Sequence, residues 1–189
     1  MPHRSTAFAL AILLTGCTSV AAQLVPGQSR VPDDSGIAMG RLSFITQREK
    51  IAVERFELAA VQVPGGKKFK IEFTPDGSPE DGGSFFVSLP AGQYRLVEWM
   101  ASAGQQQWAG DDVGLAMDVM PGRVVCVGAL FVRPRVHRRF TMSDESTGDT
   151  VVRDECGALT EMLRRRSPAL AEEPVVRIAR RVARARDGS

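Results

Sequence analysis

Histidine is scarce in this chain: His3 and His137 are the only two among 189 residues. His137 stands among Arg133, Arg135, Arg138 and Arg139, whose guanidinium groups disfavour a bound cation. No set of His, Cys and carboxylate at ligand spacing surrounds it, which argues against a metal centre of the ordinary type. A serine triad would have to use His137, yet no serine stands in a Gly-x-Ser-x-Gly context. No glycine-rich turn follows a strand and opens a helix, so phosphate-cradling nucleotide chemistry has no support. Charge of one sign is not in excess either. With 24 Lys and Arg against 22 Asp and Glu the chain is close to neutral, which argues against bulk nucleic-acid binding. No internal repeat recurs at a fixed period. The composition therefore predicts a protein that is no enzyme and carries no cofactor.

Long apolar runs are missing as well, with one short exception at the start. Met1 to Ser5 carries a single full positive charge, Arg4, and Ala7 to Leu14 is apolar. That run is too short to span a bilayer, which takes about 20 residues, and reads as the core of a secretory signal. Leu14-Thr15-Gly16-Cys17 follows directly. It resembles the lipobox of bacterial lipoproteins, in which the cysteine thiolate takes up diacylglycerol before cleavage. The resemblance implies a signal peptide over residues 1–16 and a mature chain acylated at Cys17. Ordinary cleavage near Ala21-Ala22 is the weaker alternative, because four positions match the lipobox. Each buried methylene contributes about 0.8 kcal/mol, so the two or three acyl chains of such lipoproteins hold stably. Thr18, rather than aspartate, follows the cysteine, which in that family points to the outer membrane, facing the periplasm.

Two cysteines remain, Cys126 and Cys156. In an oxidising compartment the pair suggests a disulfide; the alternative is two buried thiols, since both lie in apolar patterns.

Residues 17–36, with Pro26, Pro32 and several Ser and Gly, are predicted to be a flexible tether. From residue 37 to 142 the dominant period is two. Lys68, Lys70 and Glu72 alternate with Phe69, Ile71 and Phe73, the mark of a half-buried strand. Further strands are expected over Val53 to Val63, Ser84 to Leu89, Gln93 to Met100, Val113 to Met120 and Arg123 to Val132. Pro64-Gly65-Gly66, Pro75-Asp76-Gly77, Pro90-Ala91-Gly92 and Pro121-Gly122 supply the turns. This pattern predicts a mainly β fold, an antiparallel β-sandwich. Val124 to Val132 is apolar on both parities and should be a central strand covered on both faces.

Phe85-Phe86-Val87-Ser88-Leu89-Pro90-Ala91-Gly92-Gln93-Tyr94 resembles the Phe…Leu-Pro-x-Gly-x-Tyr hairpin of transthyretin-like and carboxypeptidase-regulatory-like sandwich modules. The strand after Pro121-Gly122 is similar to one in poorly characterised bacterial lipoproteins of that build. The resemblance implies a tyrosine facing the core beside the turn. It implies no activity, since such modules serve as spacers, binders and assembly parts.

Residues 143–189 are expected to form a helical extension. Asp149-Thr150 is a candidate cap, and Val152, Cys156, Leu159 and Leu163 recur at helical spacing until Pro168. If that face covers the central strand, Cys156 comes near Cys126. A second, basic amphipathic helix is expected from Pro174 to about Arg186, resting on the sandwich or touching membrane.

Polar features offer contact sites more than chemistry. Arg133, Arg135, Arg138 and Arg139 suit lipid headgroups, anionic glycan or an acidic partner, and equally protect an edge strand. Trp108, within Gln105-Gln106-Gln107-Trp108, is the aromatic residue expected at an exposed surface, whereas Trp99 is expected in the core. The loop from Asp76 to Gly83 is faintly like a calcium site but lacks the spacing of one. The expected function is a membrane-anchored envelope component that binds another envelope protein. A glycan- or lipid-headgroup-binding module is the alternative, and a hydrolase comes last.

Overall fold

The computed structural model describes residues 18–44, 52–77, 82–132, 150–172, 175–177 and 180–181. Among the described residues the chain is mainly β, in two sheets, with one α-helix toward the C-terminal end. The first sheet is built on β4 (Arg55–Val63), β5 (Lys68–Phe73), β7 (Gly92–Ala103) and β8 (Gln106–Val119), ordered β5-β4-β7-β8 and antiparallel throughout. The second is built on β3 (Ser35–Phe44), β6 (Gly83–Pro90) and β9 (Val124–Val132). There β3 lies between an antiparallel β6 and a parallel β9, so this sheet is mixed and not the antiparallel one expected from the sequence.

Alternation decides which side chains meet between the sheets. Phe69, Ile71 and Phe73 of β5, Tyr94, Leu96 and Trp99 of β7, and Val125, Val127 and Leu130 of β9 share one core. Phe44 sits edge-on to Phe56, Trp99 and Trp108, with ring centroids 5.7–5.9 Å apart, geometry that suits the positive rim and negative face of aromatic rings.

A second core covers the other side of the second sheet. Helix α1 (Cys156–Arg166) places Cys156, Leu159 and Leu163 against Ile37, Met39, Phe86, Val124 and Cys126. The two parities of β9 thus serve two cores. No side-chain cap closes the start of α1, but Asp154 Oδ1 accepts from Cys156 N at 3.1 Å. At its end Ser167 N donates to Leu163 O, and a short 3-10 turn (Pro168–Glu172) follows. No described helix is long and apolar enough to cross a membrane.

Short strands at either end of the described residues pair with the sheet edges. At the N-terminal end β1 (Ser19–Val20) pairs with β5, and β2 (Ala22–Gln23) crosses to pair with β6. Beyond α1 the chain runs the opposite way. There β11 (Val175–Arg177) pairs with β9, and β12 (Arg180–Arg181) pairs with β8. β10 (Thr150–Arg153) occupies the remaining length of the same β9 edge.

Three further sequence expectations are corrected here. Residues 18–36 are not a free tether: besides β1 and β2, Ala21, Leu24 and Val31 are buried in the two cores. Val152 belongs to a strand, so the helix begins at Cys156 rather than near Thr150. The basic pattern after Pro174 is strand where described, not helix. A short helix pays a nucleation cost that its few apolar residues cannot recover, while the edges of β9 and β8 offer unpaired backbone groups at once.

Candidate functional site

The two outer faces of the sandwich differ. Helix α1 covers that of the second sheet, whereas that of the first sheet carries an open groove with a volume of about 470 Å³. Its position follows from strand register. Lys70 stands opposite Ala59, Ala59 opposite Glu98 and Glu98 opposite Asp111, so one row across four strands reads cation, methyl, carboxylate, carboxylate. The small Ala59 side chain leaves the row hollow at its centre. Irregularities in register between Ala59 and Ala60, and between Leu96 and Glu98, occur at the same level. Thr18, Lys68 and Met100 also line the groove.

Charges of both signs are held in place. Lys70 Nζ lies 2.9 Å from Glu57 Oε2 and 2.7 Å from Glu72 Oε1, and Arg55 Nε lies 3.5 Å from Glu57 Oε1. Glu57 is 8% exposed, and these two cations flank its carboxylate. The hydrogen bond to Glu72, then that to Glu57, raises the Lys70 pKa above its ordinary value. Lys70 in turn lowers that of Glu72. Lys68 Nζ meets Glu98 Oε2 at 2.7 Å, a pair exposed enough for water to compete with it. The groove therefore offers ammonium donors beside carboxylate acceptors over a floor with apolar Ala59 and Met100, an arrangement suited to a ligand that carries both charges. Among the described residues no group of three or more His, Cys, Asp or Glu could hold a metal ion.

Of the residues singled out from sequence, Cys126 and Cys156 are joined by a disulfide, with Cα atoms 5.9 Å apart. Trp108 corrects its expectation: it is buried at 8% exposure. Strand β8 starts at Gln106, which gives Trp108 the inward parity opposite Ala101, and the neighbouring glutamines mask that parity in the sequence. Asp76 is engaged within the connection that passes from β5 of the first sheet to β6 of the second, accepting from Ser84 N at 3.1 Å and Ser84 Oγ at 2.6 Å. Cys17, Arg133, Arg135, His137, Arg138 and Arg139 lie outside the described residues. Sequence reasoning identified the alternation of Lys68, Lys70 and Glu72 but not the groove. The groove depends on Glu57, Glu98 and Asp111, and only the pairing of distant strands brings them alongside.

No protein-family model matches this chain, and no curated protein matches it. Among solved structures it is similar to a leucine-rich repeat protein from Bacteroides thetaiotaomicron VPI-5482, at 14% identity and a TM-score of 0.41. The match covers 55% of this chain and 14% of that one.

Proposed function

We propose that this chain is a non-catalytic lipoprotein of the bacterial cell envelope, anchored by acyl chains on Cys17 and acting by binding another envelope component. One observation carries the anchoring. Among the described residues the first strand pairing is at Ser19, two residues beyond Cys17, so a chain that starts at Cys17 keeps β1 whole. The rival cleavage near Ala21-Ala22 would cut away β1 and strip Ala21 from the core. Thr18 after the cysteine supports an outer-membrane address facing the periplasm, and the Cys126–Cys156 disulfide suits that oxidising compartment.

The resemblance to transthyretin-like modules rests on the segment around Tyr94, which forms the corner from β6 to β7. That side chain is buried at 1% exposure, and its hydroxyl donates to Pro90 O at 2.7 Å across the turn between sheets. A tyrosine returning to the backbone just upstream locks such corners in sandwich folds. The groove favours a second reading, in which the bound component is a small charged ligand.

Mass spectrometry of the N-terminal peptide from membranes tests the anchor: Cys17 should carry diacylglycerol and be the first residue. Crosslinking pull-down of the full-length protein, beside Cys17→Ala, tests the binding role. One envelope protein recovered with the anchored form alone is the expected result. An unmodified Cys17 within an intact precursor would remove the anchoring, and recovery of no protein would remove the assembly role.

A further inference from the structure

We infer that the groove on the first sheet lies against the bilayer and takes the headgroup of a zwitterionic phospholipid, its phosphate at Lys68 and Lys70 and its ammonium at Glu98 and Asp111. The inference rests on the acylation of Cys17 proposed above and adds to it an orientation and a ligand.

The leash is short, and it keeps the β1–β5 edge of this face beside the bilayer. Ser19 is in register with Phe69 and Val20 with Lys70, and Ala21 N donates to Lys70 O at 2.8 Å. Two peptide steps separate Cys17 from Ser19, at most about 7.6 Å between Cα atoms. The headgroup layer of one leaflet is about 5–7 Å deep. With its acyl chains in the hydrocarbon, Cys17 holds Thr18 in or beside the headgroups, and Thr18 lines the groove.

Charge selects the headgroup. The chain has four lysines, Lys50, Lys67, Lys68 and Lys70, and three of them lie at or beside β5, the strand that β1 pairs with. A wholly basic patch would suit anionic lipid. Here Glu57, Glu98 and Asp111 line the same cavity as Lys68 and Lys70, so an anionic headgroup would bring its negative charge to carboxylates with no positive charge to set against them. A phosphate joined to an ammonium satisfies both signs. Lys68 and Glu98 are 37% and 54% exposed, so their mutual pair yields readily to a ligand that replaces each partner. An ammonium has three donors, which leaves Lys70 one for phosphate after Glu57 and Glu72. The volume of about 470 Å³ lies within the range of small-ligand sites.

The test uses the full-length acylated protein in vesicles of phosphatidylethanolamine mixed with phosphatidylglycerol. A photo-crosslinking amino acid replaces Met100, half-buried on the groove floor, or Ala158, exposed on α1 beyond the other sheet. Irradiation at Met100 should yield adducts with phosphatidylethanolamine, about tenfold more than at Ala158, and Lys68→Glu should lower them by a similar factor. Peptide adducts at Met100 would overturn the inference in favour of a second copy of this chain in the groove. Equal lipid adducts at the two positions, or adducts with phosphatidylglycerol alone, would overturn it too. The Cys17 peptide is weighed in the same sample. Acylated Cys17 without lipid at Met100 sinks this inference alone, and unmodified Cys17 sinks the anchoring with it.

Discussion

The indole of Trp99 lies across the backbone of Gly110, where a Cβ would stand 2.3 Å from Trp99 Nε1. The two residues are register partners on β7 and β8, directly beneath the groove. Trp99 is thus both the largest fully buried side chain and a support for the strands that carry Glu98 and Asp111. Gly110→Ala must displace that ring within a close-packed core. It should cost about 1–3 kcal/mol of stability, measured by urea unfolding. An unchanged midpoint would mean that the ring moves aside freely.

The disulfide fastens the start of α1 to the second sheet across a sequence separation of 30 residues. Constraint of the unfolded chain over such a loop stabilises the fold by about 3–4 kcal/mol. Replacing Cys126 and Cys156 together by alanine should lower the thermal midpoint under oxidising conditions. The same midpoint in both proteins would refute this assignment of stability.

Burial pushes the Tyr94 phenol up to about 12 from an ordinary 10.0. Because the folded value is raised, its stabilising contribution is whole below pH 10 and is lost as pH rises toward 12. Tyr94→Phe should cost about 1 kcal/mol at neutral pH through the lost hydrogen bond to Pro90 O. Its stability should also fall less steeply than that of the parent between pH 10 and 12. Parallel profiles would show that Tyr94 does not control the alkaline limb.

On the acid side, Lys70 holds the Glu72 carboxyl below its ordinary 4.5. A lowered folded value means that the contribution is present above the unfolded pKa and is lost as pH falls through the folded one. The pair is partly exposed, so Glu72→Gln should remove less than about 1 kcal/mol at pH 7. That difference should vanish under strong acid. A gap that persists there would trace to packing instead.

Much of the fold was legible because burial imposes a period. The alternation from Lys68 to Phe73, the two-sided apolar run of β9 and the Pro-Gly turns each announce themselves locally. So does the helical spacing of Cys156, Leu159 and Leu163. Trp108 was misread because glutamines on both parities carry no period. The N-terminal segment looked like a tether because two-residue strands leave no pattern; only the open edges of β5 and β6 make them strands. The same holds for β11 and β12, whose basic sequence suits a helix when read alone.

By itself, then, the sequence determined what local chemistry controls: strand parity along β5, the turn positions, the mainly β class and the helix that carries Leu159 and Leu163. Tertiary structure alone decided which distant strands became neighbours. Register set Lys70, Ala59, Glu98 and Asp111 in one row, and the edges captured the short strands β1 and β12. The reason is physical: side-chain burial acts through residue spacing along the chain, whereas backbone hydrogen bonding across a sheet is indifferent to sequence distance.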